Sequence, residues 1–342
     1  MPSLPDAAAP TDPDAAAPTD PAASSLVATT PGLAVRVLLA PSVPDWIIAT
    51  YVFAFAAALA LATPSPVRNR ELLYLIAVGV AYVGAVLLFR LRLDRRAAGL
   101  PMPRAALAGY RLLAFVTIMA VFFRLRAILP IVAPGNMDAE LYQLDLLLFG
   151  VEPTLALEPW STPLVVGWFA FYYGLYFFIL AGFVFTSLLG GRDERRMTEL
   201  IAGLGLVTGI GQLLYMLVPG FGPVAHLAAD FAGPLDGGMA HELVVRLAAT
   251  AGPQKDVFPS LHTAVPTFLA LFCFRHHRRL APWMTFFAVN IACATVVLRW
   301  HWAVDVVAGL ALAVIGHRLA PHLVLAWQRL RERHRVHTSV IW

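Results

Sequence analysis

The chain has 342 residues, of which 59% are apolar and only 13% charged, and its mean hydropathy is +0.71. That is about half the charged fraction of an average soluble domain, so a soluble multidomain enzyme is excluded and most of the chain needs a bilayer as solvent. The net charge of +4 comes without a basic helix or an aromatic-plus-basic stripe, which argues against nucleic acid as a partner and makes the short basic clusters topology signals.

Residues 1–30 contain the octapeptide DAAAPTDP twice, at 6–13 and 14–21. With no basic n-region or apolar core this is not a signal peptide, and its Ala, Pro, Asp and Thr predict a disordered tail. Eight apolar runs of membrane-spanning character follow, at 45–63, 71–89, 112–133, 163–188, 199–218, 260–274, 282–300 and 302–320. Alternate loops place 18 of the 25 basic residues on one side and five on the other, with Arg124 and Arg126 inside the third run. The positive-inside rule then puts both termini in the cytoplasm, in a plasma membrane of bacterial type. The expected fold is an all-α polytopic bundle. Residues 31–111 supply two N-terminal helices and a basic cytoplasmic loop, 112–320 a six-helix membrane domain, and 321–342 a basic cytoplasmic tail.

The non-cytoplasmic side receives segments 134–162 and 219–259 and the turn at Trp300–Trp302. Within the first, LYQLDLLLF (141–149) is too short to span and predicts a helix lying at the interface. Three features converge on this side. Phe258-Pro259-Ser260-Leu261-His262 places a hydroxyl and an imidazole at a helix N-terminus, where free N–H groups and the dipole favour an anion such as phosphate. His301 and Asp305, spaced i and i+4, predict a carboxylate that orients an imidazole on one helix face. Tyr215-Met-Leu-Val-Pro219-Gly-Phe-Gly222-Pro223 is a turn able to bring backbone close to a ligand. A lone histidine at the interface is a structural group as a rule. Two of them with a carboxylate on one membrane face point instead to in-line displacement at phosphorus, one imidazole attacking and the other protonating the leaving oxygen.

FPSLH followed by ATVVLRWHWAVDVVAG resembles the second and third motifs of the type 2 phosphatidic acid phosphatase superfamily, and within it the inositolphosphorylceramide-synthase-like branch, over about residues 140–320. The resemblance implies that His301 is the nucleophile forming a phosphohistidine, Asp305 its orienting partner and His262 the acid for the leaving group. It also implies transfer of a phosphoalcohol headgroup such as phosphoinositol from a phospholipid to a lipid alcohol, with hydrolysis of a lipid phosphate as the alternative. The phosphatase branch carries a Lys-x6-Arg-Pro motif and a Ser-Arg pair ahead of the last histidine; no basic motif stands near Pro219 here, and the pair is Ala294-Thr295. A catalytically weakened protein that binds or moves lipids is therefore a third reading.

Replacements for the missing cations can be sought. Arg299, four residues after Thr295, would project from nearly the same face on a continuing helix, and is otherwise a headgroup anchor. Lys255, the only lysine, could reach the same phosphate as Ser260, and is otherwise a solvated loop charge. Arg124 and Arg126 contact phosphate or clamp backbone, Asp138 or Glu140. Asp145, Tyr172, Tyr173 and Tyr176 could donate or accept headgroup hydrogen bonds, although a tyrosine stripe at helical spacing is more often packing. His226 and His241 are loop histidines with no assigned role, and the basic cluster at 275–279 is a topology signal. No metal or other cofactor is expected, because the nucleophile is an imidazole and no carboxylate cluster suits magnesium.

Overall fold

A computed structural model describes residues 32–95, 104–190, 193–251, 255–334 and 336, so the expected N-terminal tail lies outside the described residues. Helices α1 (Leu33–Leu39), α2 (Val43–Leu61), α3 (Pro66–Arg95), α4 (Arg104–Phe122) and α5 (Leu125–Val132) come first. Next in the chain are α6 (Asp138–Phe149), α7 (Pro153–Leu157), a 3-10 turn (Glu158–Trp160), α8 (Pro163–Gly190) and α9 (Glu194–Leu217). The long connection after α9 carries α10 (Pro223–His226) and α11 (Gly238–Ala251) and leads to α12 (Leu261–His276), α13 (Ala281–Val297) and α14 (Ala303–Arg333). Helix is the state this composition demands, because a chain in hydrocarbon must satisfy each backbone N–H and C=O from within.

The protein is a polytopic helical membrane bundle. All eight apolar runs are helical, and among the described residues six helices, α2, α3, α4, α8, α9 and α14, are long and apolar enough to cross a bilayer by themselves. The other two runs form α12 and α13, of 16 and 17 residues. Residues 258–260 form the non-helical entry to α12, and its buried face packs within the bundle against α9, α13 and α14, so it does not need a full apolar length of its own. The third run is also broken: α4 stops at Phe122, Arg124 turns out to pair with Glu71, and Pro130 interrupts the hydrogen bonding of α5. The last helix continues beyond residue 320 to Arg333, anchored where Trp327 Nε1 donates to Pro41 O at 3.0 Å.

Helix α9 is the axis of the bundle, packed against α2, α12 and α14. Its small residues allow close approach, the usual substitute for hydrophobic drive between helices in lipid. Phe268 of α12 lies over Gly203 and Leu261 over Gly211, while Tyr51 of α2 lies over Gly209. Helix α6 has the expected interfacial pattern, with Leu144, Leu147, Leu148 and Phe149 exposed and Asp138, Leu141 and Asp145 buried.

Candidate active site

The starts of α12 and α14 meet at one end of the bundle. Ser260 caps α12, its Oγ accepting from Thr263 N at 3.3 Å, and Ser260 N donates to Asp305 O at 3.0 Å. Contact this close requires Gly309, where an added Cβ would stand 2.6 Å from Ser260 O. Gly222 closes the third side: its φ of 85° belongs to the left-handed region, and a Cβ would stand 2.4 Å from Trp300 O.

His301 precedes α14 rather than lying on it, because Trp302 is the N-cap. Asp305 therefore does not face His301 as an i+4 helix neighbour; its Oδ2 accepts from Trp302 N at 2.9 Å and stands 3.3 Å from His301 Nδ1. The shorter bond of Nδ1 is to Val257 O at 2.8 Å. A carbonyl can only accept, so Nδ1 carries the proton and Nε2 presents its lone pair. Burial holds the imidazole neutral, down to about 4, against the opposing pull of Asp256 and of the Val257 carbonyl.

His262 lies across from it, with ring centroids 6.0 Å apart. Tyr173 stacks on the His262 ring at 4.4 Å and Tyr176 packs at 4.5 Å. Its Nε2 is buried without a partner. Tyr172 turns away, to Phe286 and Phe287. Asp256, not singled out by the sequence, is within electrostatic reach of His301, and burial pushes its carboxyl up to about 6. The sequences ahead of α12 and α14 thus converge on two neutral imidazoles facing each other in a largely aromatic enclosure.

Two further carboxylates were beyond sequence reasoning because their partners are backbone groups of distant loops. Asp138 accepts from Phe221 N at 2.7 Å, Gly222 N at 2.9 Å and Trp302 Nε1 at 3.0 Å. Asp145 accepts from Ala303 N at 2.8 Å and Val304 N at 2.7 Å, capping α14. Seven residues apart on α6, they fasten the 219–222 turn and the start of α14 to one helix face. An acidic residue at i and i+7 of an otherwise apolar interfacial segment is the signal that could have found them. The Phe221 and Gly222 N–H groups of the 219–222 turn are occupied by a carboxylate of the protein itself.

The basic residues are placed differently from expectation. Helix α13 ends at Val297 and Arg299 adopts a φ of 63°, so the helix does not continue and Arg299 does not share the face of Thr295. Its guanidinium donates to Glu158 Oε1 and Gly233 O, each at 2.8 Å, over the Phe231 ring at 3.7 Å. Lys255 is buried, and its Nζ donates to Ala133 O, Pro134 O and Gly135 O at 3.0, 2.9 and 2.8 Å, which uses all three ammonium protons. Arg124 pairs with Glu71 instead of Asp138 or Glu140, and Arg126 clamps backbone at Ala249 O, 2.7 Å away. His226 packs near Tyr142 and Trp302, and His276 lies 3.3 Å from Glu199.

No curated protein and no solved structure matches the chain. Residues 139–319, from the first turn of α6 into α14, match the family model described as the PAP2 superfamily. That stretch contains both histidines, Asp305 and the turn fastened to Asp138, and it covers more than half of the chain, which therefore belongs to the PAP2 superfamily, with chemistry of the lipid phosphatase or phosphotransferase type.

Proposed function

We propose that the protein transfers a phosphoalcohol headgroup, such as phosphoinositol, from a glycerophospholipid to a lipid alcohol, as in the inositolphosphorylceramide-synthase-like branch. One observation carries the reading: His301 and His262 face each other with ring centroids 6.0 Å apart, the first with Nδ1 fixed by Val257 O and the second with Nε2 unpartnered. Nε2 of His301 attacks phosphorus, the bond to the diacylglycerol oxygen breaks, and His262 gives that oxygen its proton. The anionic phosphate beside His262 supplies the charge that favours its protonated form. The acceptor alcohol then attacks phosphorus, His262 takes its proton, and the P–N bond breaks to free His301. Asp305 holds the turn through Trp302 N and stands beside Nδ1, where it stabilises the positive charge that His301 gains on attack.

Residues 112–320 carry this chemistry at the non-cytoplasmic leaflet, with both termini cytoplasmic. Ser260 and the first N–H groups of α12 offer the phosphoryl oxygens donors that helix geometry leaves unpaired. His301 is only 4% exposed, which favours a lipid alcohol over water as acceptor. Hydrolysis is the alternative in the same site. The commitment of Arg299 and Lys255 to protein partners favours the third reading, a lipid-binding or lipid-transporting protein. Purified protein incubated with labelled phosphatidylinositol and a lipid alcohol decides among them. Headgroup on the acceptor that disappears in His301→Ala supports transfer; free inositol phosphate supports hydrolysis; no turnover with any lipid phosphate leaves binding.

A further inference from the structure

The conventional holders of a phosphate are spoken for in this site. Lys255 spends its protons on three carbonyls, Arg299 is clamped by Glu158 and Gly233, and the Phe221 and Gly222 N–H groups of the 219–222 turn hold Asp138. Apart from Ser260 and the first N–H groups of α12, what remains is aromatic. Tyr173 and Tyr176 of α8 lay their rings against His262, with centroids 4.4 and 4.5 Å away.

The hydroxyls of these phenols have no hydrogen-bond partner among the described residues. Other enclosed phenols behave differently: Tyr51 donates to Gln212, and Tyr82 and Tyr110 donate to Asp45. Unpaired hydroxyls in an apolar enclosure are costly, and the two rings that carry them lie against His262, whose Nε2 is also unpartnered. A group that would satisfy them must accept several hydrogen bonds from different directions while lying between two imidazoles. A tetrahedral phosphoryl group, with its non-bridging oxygens spread about phosphorus, has that geometry. Hydrogen bonds from neutral donors to a charged oxygen are strong where water is excluded. Of the nearby carboxyls, Asp305 has Oδ2 engaged by Trp302 N, and burial pushes Asp256 up to about 6.

We propose that Tyr173 and Tyr176 form the phosphoryl-binding wall of the site, donating their hydroxyls to the non-bridging oxygens of a phosphate ester held between His262 and His301, where cationic side chains would otherwise stand. This rests on the reading of His301 as the phosphoryl acceptor, but its test does not depend on turnover. Orthovanadate binding to the purified full-length chain is measured by tryptophan fluorescence for wild type and for Tyr173→Phe and Tyr176→Phe, which retain the rings packed on His262. Each variant is expected to bind orthovanadate about tenfold more weakly, with an unchanged thermal midpoint. Tyr172→Phe, whose ring faces Phe286 and Phe287, is expected to bind as wild type does. Equal affinity in wild type and both variants, or no orthovanadate binding by wild type, overturns the proposal. Unchanged turnover in His301→Ala would instead overturn the nucleophile assignment, and the two failures are read in separate assays.

Discussion

Two regions of the bundle handle buried charge in different ways. Among α2, α3 and α4, charged side chains neutralise one another. Asp45 caps α2 through Ser42 N at 2.7 Å, accepts from Tyr82 and Tyr110, and stands 3.5 Å from the fully enclosed Arg90, while Glu71 pairs with Arg124. At the site end the carboxylates Asp138, Asp145 and Asp305 hold backbone N–H groups, and Lys255 holds backbone carbonyls. Side-chain pairs of opposite charge leave nothing over for a ligand. Backbone-directed charges fix loops in place and keep the space between them for the two imidazoles and the phenols. The first region therefore depends on charge itself, the second on acceptor geometry.

This contrast breaks most visibly at Asp45. Asp45→Ala is expected to cost about 3–5 kcal/mol, because it strands the buried Arg90 guanidinium, and Asp45→Asn should cost nearly as much. Thermal unfolding in detergent, calibrated by denaturant, reads both. Asp138→Ala should cost about 2–3 kcal/mol by leaving the Phe221, Gly222 and Trp302 donors unpaired. Asp138→Asn retains an acceptor and should lose no more than about 1 kcal/mol. Equal harm from Asn at both positions would erase the distinction between the two regions.

A smaller effect is expected at Arg299. Its ion pair with Glu158 is mostly buried, and Arg299→Ala should cost about 1–2 kcal/mol with a coupling to Glu158→Gln of about 1 kcal/mol in a double-mutant cycle. Coupling near zero would mean that the clamp does not hold the turn.

The smallest effect is in the pH dependence of stability. His301, held down to about 4, keeps the folded chain from taking the proton that the unfolded chain binds below 6.5, so its contribution is present above 6.5 and lost as the pH falls toward 4. Asp256, pushed up from 3.8 to about 6, acts in the opposite sense: its contribution is full below 3.8 and fades as the pH rises through 6. The two slopes oppose each other between about pH 4 and 6 in the wild type. Asp256→Asn should expose the first, giving a thermal midpoint that climbs by a few degrees with pH over that range. A midpoint that stays flat in the variant would remove His301 as a neutral, buried group.

Hydrophobicity made the helical bundle legible, since an apolar run in a bilayer has no alternative to helix. It did not reveal that the third run breaks at Arg124, because the partner Glu71 lies 53 residues away, nor that α12 is shielded and need not span by itself. At the site, local spacing carried His262, Ser260, His301 and Asp305 to one end. It misled for Arg299, where a left-handed residue ends α13 and turns the side chain toward Glu158. Asp138 and Asp145 meet backbone of remote loops, and the one trace of that pairing in the sequence is their seven-residue spacing on α6.

The account stands on His301 Nε2 as the atom that takes the phosphoryl group. The most direct measurement is to incubate the protein with a donor phospholipid labelled at phosphorus, quench in base and map the label by proteolysis. The account predicts a base-stable, acid-labile adduct on the peptide containing His301, absent from His301→Ala. An equal yield of protein-bound label in His301→Ala, or label on a peptide without His301, would contradict it.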